Sequence, residues 1–303
     1  MGEKPDVVDA HAHLYDWRQN RYLFLEKPDF LFEALIGDYS SLPRVFELDD
    51  YLKLNSAATV CGIVWHEFMS TDPVREVAWA QELAMHSPVP MTIVGRVDFL
   101  APDLENTLEQ YMRYPNVSAV REHLGWDIHR AERRFATRGD LLTHPQWLSG
   151  LDKLSCTPFR CSLEVFLSQL PTLAHIFESH PEIGFSIAVM GWPSGTDQEN
   201  FAKWKESLRR LAACANVSIT ISALECVFGM NWRPAQAQPW VDTVFEMFGT
   251  GRVMFGSHSP IAALAANVSS PYASCLQLTA ALTAEERQAV LHDNAREWYF
   301  TAR

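Results

Sequence analysis

Two histidines separated by one residue near the start of the chain could act together on one ligand. His11 and His13 lie in the run VVDAHAH, at the end of an apolar stretch that predicts a β-strand over Val7–Ala10. Because side chains at positions i and i+2 of a strand point to the same face, both imidazoles are expected at one site. Two converging imidazoles can ligate a metal ion or polarise a substrate oxygen. The alternative is a pair of hydrogen-bonded core histidines.

A third histidine follows a buried strand near the end of the chain. His258 lies in the run RVMFGSHSP, residues 252–260, in the tight polar turn after the predicted strand. In a barrel of parallel strands, turns of this kind carry catalytic side chains. A neutral imidazole can act as a general base near pH 7 because its unperturbed pKa is about 6.5. His258 is therefore a candidate catalytic residue, and the alternative is that it only fills space.

Two other strand ends offer groups that could bind a substrate. Arg121 ends a predicted strand, and its planar guanidinium is suited to anchor a carboxylate or a carbonyl. An ion pair with Glu122 or another acid at the rim is equally compatible with its position. In the run VWHEF, residues 64–68, strand alternation lets either His66 or Glu67 face the site directly, and we prefer Glu67.

Glu164 and Trp192 are the remaining candidates for substrate binding. Glu164 falls on a predicted strand, where a buried and unpaired glutamate would have a raised pKa. Trp192 falls in a loop at a strand end, where an indole can form a pocket wall or simply pack. His123 and His129 follow a strand in a predicted loop, and we expect them to be surface histidines.

The elements that must position these residues alternate along the chain. Eight short β-rich runs alternate with seven amphipathic stretches, which predicts an α/β fold. Eight strands over 303 residues match a single-domain (β/α)8 TIM barrel, with residues 14–50 as a long loop over its C-terminal face. A doubly wound open sheet is the alternative, but no GxGxxG turn follows the first strand. The predicted strands are Val7–Ala10, Thr59–Trp65, Met91–Val97, Ser118–Arg121, Phe159–Val165, Gly184–Val189, Val217–Ile221 and Arg252–Phe255.

Composition limits the kinds of partner. The net charge of −12 and the pI near 5.4 make nucleic acid a poor partner, because an acidic surface repels phosphates. Apolar stretches are interrupted well short of the roughly 18 residues that a membrane span needs. The six cysteines form no CxxC pair, and the N-terminal residues show no basic segment followed by an apolar core. We therefore expect a cytoplasmic protein that binds neither nucleic acid nor a membrane.

The motif VDAHAH and six later stretches together carry a family resemblance. In this order and spacing they resemble the amidohydrolase-related branch of the amidohydrolase superfamily, which includes 2-pyrone-4,6-dicarboxylate lactonase and L-rhamnono-lactonase. The resemblance covers nearly the whole chain, and it implies a (β/α)8 barrel that hydrolyses a carbonyl compound. The later stretches are VGRVDFLAPD (94–103), VSAVREHL (117–124), HPEIGFSIAVMGWP (180–193), NVSITISAL (216–224), RVMFGSHSP (252–260) and NAREWYF (294–300).

The chain departs from the family pattern at several positions of the expected site. His258 stands where the family has an aspartate that acts as general base, and Val189 stands where it has a histidine that binds substrate or metal. His11, His13 and Arg121 are retained. These changes favour a larger, flatter and less charged ligand than a sugar lactone or a dicarboxylate. The other departures are Trp192 for a small polar or lysine side chain, Ser162 for an aspartate and Thr220 for a lysine.

Three functions are compatible with these residues. The first is a hydrolase for a lactone or related carbonyl compound of aromatic or apolar character, in which His11 and His13 polarise the carbonyl, Arg121 orients it and His258 activates water. The second is a non-hydrolytic isomerase, cyclase or decarboxylase for an aromatic or polyketide-like compound, because the water-activating aspartate is missing. The third is a binding homologue that has lost catalysis.

The resemblance also bears on cofactors and partners. No cofactor is expected, because the lactonase branch includes members that work without a metal. A divalent metal such as zinc, if bound, would be held by His11, His13 and His258, since three neutral imidazoles and a water can coordinate zinc. The expected partner is a small-molecule substrate, and a homo-oligomer is compatible with the sequence.

Overall fold

Parallel strands form the centre of the molecule. The computed structural model of the protein describes residues 4–265 and 270–301. In these ranges, two short strands form an antiparallel pair and eight others form one parallel sheet. The strands are β1 (Asp6–Ala12), β2 (Tyr15–Asp16), β3 (Val45–Phe46), β4 (Thr59–His66), β5 (Met91–Arg96), β6 (Val117–His123), β7 (Arg160–Glu164), β8 (Phe185–Ile187), β9 (Val217–Ile221) and β10 (Val253–Phe255).

The parallel strands are hydrogen-bonded in the order β1-β4-β5-β6-β7-β8-β9-β10, with helices between successive strands. Two π-helical turns, Ala289–Asp293 and Arg296–Phe300, follow the last α-helix. The α-helices are α1 (Leu23–Glu26), α2 (Phe30–Ile36), α3 (Leu48–Leu54), α4 (Pro73–His86), α5 (Leu104–Met112), α6 (Pro145–Ser155), α7 (Leu170–Ser179), α8 (Gln198–Ala212), α9 (Leu224–Phe228), α10 (Pro234–Phe248), α11 (Pro271–Leu278) and α12 (Ala284–Gln288).

Local sequence explains why these segments form strands and helices. Strand β9 reads VSITI, is mostly β-branched, and has all five side chains buried, as expected for a strand covered on both faces. Helix α4 begins where the Asp72 carboxylate accepts a hydrogen bond from the backbone N–H of Arg75 at 3.0 Å, and Pro73 fills its first turn. Its inner face buries Val77 and Ala80 against the barrel.

The first strand and the turn after the last strand are joined through the backbone. The N–H of His258 donates to the carbonyl oxygen of His11 at 2.7 Å, and the N–H of His13 donates to the carbonyl oxygen of Ser259 at 2.9 Å. These two bonds close the ring of strands at its carboxyl end. We call this junction of residues 9–13 with residues 256–259 the seam.

Asp9 fastens the seam from inside the core. One of its carboxylate oxygens accepts from the backbone N–H groups of Ser257 at 2.8 Å and of His11 at 3.0 Å, and the other accepts from the hydroxyl of Tyr51 at 2.6 Å. Gly256 allows the close approach, because a Cβ atom there would lie 2.4 Å from the Cβ of His11. The seam therefore fixes the backbone positions of His11, His13 and His258.

The predicted (β/α)8 barrel is confirmed, with local differences. Strand β8 ends at Ile187, before Val189, because residues 189–192 all have positive φ and leave the extended conformation. Residues 14–50 were expected to be an irregular loop, but they contain α1, α2, part of α3 and both strands of the β2-β3 pair. Helices α9 and α11 were not predicted.

Candidate active site

Three imidazoles meet at the carboxyl end of the barrel. The ring centroids of His11 and His13 are 5.0 Å apart, those of His11 and His258 are 5.0 Å apart, and those of His13 and His258 are 5.5 Å apart. One ring nitrogen from each residue lies within 4.8 Å of the other two. The seam thus brings together the three histidines that the sequence suggested as catalytic or metal-binding residues.

The contacts of His13 and His66 fix which ring nitrogens carry protons. A carbonyl oxygen only accepts, so His13 Nδ1 donates to the His66 carbonyl at 3.1 Å, and the Nε2 atom of His13 keeps a free lone pair. In the same way, His66 Nε2 donates to the carbonyl of Ala10 at 3.1 Å. The Nδ1 atom of His66 then accepts from Nη1 of Arg121 at 3.2 Å.

His11 and His258 show the same arrangement. The guanidinium of Arg121 only donates, so its contact with His11 Nε2 at 3.4 Å leaves the proton of His11 on Nδ1, which donates to the hydroxyl of Ser222 at 2.9 Å. The Nδ1 atom of His258 hydrogen-bonds the carboxylate of Glu225. Each of the three imidazoles therefore has a partner for Nδ1 and presents Nε2 as an acceptor.

Burial favours the neutral forms of the His11 and His13 imidazoles. Removal from water lowers the pKa of His11 and His13 well below the ordinary value, and the neighbouring histidines and Arg121 lower it further. A neutral imidazole whose proton is held on Nδ1 cannot donate from Nε2 to a carbonyl oxygen. The expected direct polarisation of a carbonyl by His13 does not fit this geometry, which favours use of the lone pairs as metal ligands or proton acceptors.

Arg121 lies beside the imidazoles in a buried ion pair. Its Nε donates to Glu67 at 2.6 Å, and the side chains of Arg121 and Glu67 are 5% and 0% exposed. The partner of Arg121 is thus Glu67 rather than Glu122. Burial raises the pKa of Glu67, but the charges of Arg121 and His123 outweigh it and hold the pKa well below the ordinary value. Glu67 is not among the residues that line the cavity but holds Arg121, and its expected role in binding substrate stays a prediction.

Sequence reasoning misplaced His123, which belongs to this network rather than to the surface. Its Nε2 lies 2.8 Å from Glu67, and its Nδ1 lies 3.1 Å from Glu164. Burial and Arg121 disfavour the charged imidazole, but the two carboxylates outweigh them and raise the pKa of His123. Both His66 and Glu67 contact Arg121, although strict strand alternation would point the two side chains to opposite faces. Strand β4 ends at His66, so Glu67 lies outside the strand.

Apolar side chains form the wall of the cavity above the polar floor. The predicted residues His11, His13, His258, Arg121, Glu164 and Trp192 line this cavity, which we call the cup, and His123 lines it as well. Helix α2 supplies part of the wall, so residues 14–50 do contribute to the site. The other lining residues are Phe32, Leu35, Ile36, Phe68, Met69, Phe135, Val189, Cys226 and Ile261.

The fold and this site together define a (β/α)8-barrel enzyme whose polar groups gather at the carboxyl ends of its strands. Residues 8–301 match the amidohydrolase family, and the chain belongs to that family of hydrolases. It is 27% identical to the L-fucono-1,5-lactonase of Burkholderia multivorans over 305 residues, which cover 96% of this chain and 95% of the lactonase. It is 25% identical over 295 residues to the uncharacterized protein y4mH of Sinorhizobium fredii, covering 97% of this chain and 98% of that protein.

A solved structure shares the fold. A zinc-bound crystal structure of an amidohydrolase from Burkholderia multivorans superposes with a TM-score of 0.79 at 22% identity, covering 97% of this chain and 99% of the other. The family and the lactonase relative confirm the resemblance to the lactonase branch. The expectation that no metal is used is not supported, because one ring nitrogen each of His11, His13 and His258 lies within 4.8 Å of the other two, and three imidazoles can hold a divalent ion.

Proposed function

We propose that this protein hydrolyses a lactone or a related ester whose acyl portion is aromatic or apolar. Membership of the amidohydrolase family and the relative that is a lactonase support hydrolysis of a carbonyl compound. The observation that carries the proposal is the convergence of the imidazoles of His11, His13 and His258 next to Arg121, at the floor of a cup with apolar walls. Such a floor offers lone pairs for water activation and a fixed cation for substrate orientation.

The walls indicate the character of the substrate. Phe32, Phe135 and Val189 line the cup, and the family resemblance places an imidazole at position 189. The indole N–H of Trp192 is buried and makes no hydrogen bond within the parts of the chain that the structure describes. A buried donor without a partner is unfavourable, so a ligand carbonyl or ring oxygen is its proposed acceptor.

Arg121 and His258 have distinct proposed parts in the reaction. Arg121 donates N–H bonds to an oxygen of the bound substrate and holds the carbonyl carbon toward the imidazoles. The Nε2 atom of His258 accepts a proton from water as the water oxygen bonds to that carbon. The ring C–O bond then breaks, and the leaving oxygen takes the proton to give a hydroxy acid.

A zinc ion fits the same three imidazoles. His11, His13 and His258 would hold it through Nε2, with Ser222, His66 and Glu225 as the partners of Nδ1, as is usual for histidine ligands of zinc. Zinc, when bound, polarises a carbonyl and makes a bound water more acidic. In the loaded protein the lone pair of His258 would serve as a ligand rather than a base, and metal analysis of active protein decides between these two uses.

Turnover of a lactone panel tests the proposal. We expect the wild-type protein to hydrolyse aryl-substituted or pyrone lactones with a higher kcat/KM than sugar lactones. Loss of a general base or a metal ligand in His258→Ala should lower kcat/KM by about 10²–10⁴-fold. The exposed His129 provides the control, since His129→Ala should leave turnover unchanged. No turnover of any lactone, or full activity in His258→Ala, would contradict the proposal.

The second candidate is a non-hydrolytic reaction on the same class of ligand. The apolar wall and the absence of a carboxylate at position 258 favour it, because a cup that excludes water protects a reactive compound from hydrolysis. Reaction in water labelled with oxygen-18 separates the two candidates. Hydrolysis places one labelled oxygen in the product, whereas an isomerase, cyclase or decarboxylase reaction requires none.

A further inference from the structure

Glu225 is a buried acid at the site that the sequence did not single out. It lies in the first turn of α9, two residues after the left-handed Ala223, and it is 3% exposed. Its carboxylate hydrogen-bonds Nδ1 of His258, and it lies behind that ring rather than in the lining of the cup. The end of the barrel thus keeps a carboxylate, but the imidazole of His258 rather than that carboxylate lines the cup.

We propose that Glu225 is a positioning residue that holds His258 with its proton on Nδ1 and its Nε2 lone pair facing His11 and His13. In this arrangement Nδ1 of His258 donates, and a carboxylate oxygen of Glu225 accepts. The hydrogen bond made by one ring nitrogen of a histidine determines which form the other nitrogen takes. Without Glu225, the His258 ring could rotate or carry its proton on Nε2, and the lone pair that the site requires would be lost.

The backbone supports this assignment. His258 has a φ of 53° and Ala223 has a φ of 52°, so both turns that carry the pair adopt the left-handed conformation. Non-glycine residues hold this conformation only when their surroundings enforce it, and such residues cluster at functional sites. The backbone N–H of His258 donates to the carbonyl oxygen of His11, which fixes the backbone of His258. Glu225 fixes the orientation of the imidazole ring.

One competing arrangement uses the same residues. Glu225, Cys226 and His258 also place one possible ligand atom each within 4.8 Å of the others. A metal held there would use Glu225 as a ligand, and the His258 nitrogen that faces Glu225 would carry no proton. The two arrangements differ in their dependence on Cys226, because the positioning role of Glu225 does not involve the thiol.

The protonated nitrogen of His258 can be observed directly. In metal-free protein labelled with nitrogen-15, NMR distinguishes the two neutral forms of an imidazole, and His258→Asn assigns the signal. We expect the proton on Nδ1 in the wild type and in the isosteric Glu225→Gln, whose amide oxygen still accepts. In Glu225→Ala we expect the proton to move to Nε2 or to be shared. The proton on Nε2 in the wild type, or an unchanged signal in Glu225→Ala, would overturn the proposal.

Zinc affinity measured by competition with a chelator gives a second readout. Loss of the partner of a histidine ligand commonly weakens metal binding by about 10–100-fold, so Glu225→Ala should show a loss of that size and Glu225→Gln a smaller one. Cys226→Ala is the matched control and should bind zinc like the wild type. An equal loss in Cys226→Ala would place the metal at Glu225, Cys226 and His258 and reject the proposal.

The inference rests on the proposed use of His258, but the two can fail separately. The NMR measurement requires neither substrate nor metal. If no lactone is hydrolysed while Glu225→Ala still moves the proton of His258, only the proposed function fails. If lactones are hydrolysed and Glu225→Ala keeps both the proton position and the wild-type kcat/KM, only the role of Glu225 fails.

Discussion

At the scale of single residues, neighbours rather than residue type decide what each histidine can do. His13 is surrounded by other imidazoles and Arg121, and burial holds its pKa well below the ordinary value. His123 lies between Glu67 and Glu164, which raise its pKa in spite of burial. The sequence separates these environments poorly, because the carboxylates that charge His123 lie 56 and 41 residues away from it along the chain.

Glu122 lies on the same strand as Arg121, but its side chain points to the opposite face. It follows Arg121 and faces outward, where its carboxylate accepts from the indole N–H of Trp147 at 2.6 Å. Burial raises its pKa to about 8, and the nearby Asp98 adds to the shift, although the bond from Trp147 opposes it. In the folded protein Glu122 is thus mainly protonated at pH 7, whereas it is ionised in the unfolded chain.

This difference predicts how the free energy of unfolding depends on pH. The folded state binds one more proton than the unfolded state between about pH 4.5 and 8, so the contribution of Glu122 is fully present below that window and is lost as pH rises through it. The slope for one proton is about 1.4 kcal/mol per pH unit. Urea unfolding from pH 5 to 9 should show this slope in the difference between wild type and Glu122→Gln.

The exposed Glu109 supplies the control for the pH series. Glu109→Gln should give a curve parallel to that of the wild type over the whole range. Parallel curves for Glu122→Gln and the wild type would show that Glu122 is already ionised when the protein is folded.

At the scale of elements, the strands could be predicted from sequence because each is a short apolar run that is buried on both faces. The runs that became β4, β5 and β9 are nearly as predicted. The failures lie at strand ends, where hydrogen bonds between distant segments decide the conformation. Val189 continues the apolar run of β8 but has a φ of 51°, and no apolar pattern signals a left-handed turn.

The candidate site, like the strands, could be predicted from sequence only in part. The spacing of His11 and His13 and the motif around His258 were sufficient to suggest three imidazoles at one place. Glu225 could not be found in this way, because 33 residues separate it from His258 and only the neighbouring positions of β9 and β10 bring them together. The helical conformation of α2 was missed for a different reason, since its seven residues fall inside an aromatic-rich segment without a clear period.

Gly256 allows a direct test of the seam. A Cβ atom at this position would lie 2.4 Å from the Cβ and 2.7 Å from the backbone nitrogen of His11, and the backbone cannot move aside. Gly256→Ala should therefore lower the free energy of unfolding by about 1–3 kcal/mol, as overpacking commonly does. It should also lower kcat/KM, because the clash displaces His11. Chemical denaturation and kinetics measure the two effects.

Gly251 is the matched glycine for this experiment. A Cβ atom there meets no other atom within 4 Å, so Gly251→Ala should change stability by less than about 0.5 kcal/mol. If Gly256→Ala were as stable and as active as Gly251→Ala, the seam would not have the close packing described above.

At the scale of the whole molecule, the net charge and the barrel fold limit the kinds of partner and ligand that we expect. Within residues 4–265 and 270–301, no helix combines the length and the apolar character needed to cross a bilayer. The expected cytoplasmic location, the absence of nucleic-acid partners and a homo-oligomer stay predictions. The floor of the cup carries Arg121 and the imidazoles of His11, His13 and His258, so a small organic molecule that accepts hydrogen bonds is the proposed substrate.

Zinc binding should stabilise the entire chain. His11 lies in β1, His13 directly follows it, and His258 lies in the turn after β10, so the site exists only when the barrel is closed. A ligand that binds only the folded state adds about 2.7 kcal/mol when its free concentration is 100 times its Kd. We expect one zinc per chain by elemental analysis and a higher unfolding midpoint with zinc, measured by calorimetry.

His13→Ala should remove most of that stabilisation, whereas His129→Ala should retain it. Equal stabilisation of both variants by zinc would place the metal elsewhere on the molecule. If metal-free protein kept full lactone turnover, the lone pair of His258 would act as a base and not as a ligand.

The seam has a consequence for how such an enzyme can diverge. The hydrogen bonds of the seam close the ring of strands, and the backbone groups that make them also position the imidazoles of His11, His13 and His258. A substitution in the seam is therefore expected to change both the stability of the barrel and the catalytic activity. Helix α2 lies outside the seam, so substitutions of its cup-lining residues can change substrate preference while the hydrogen bonds of the seam are kept.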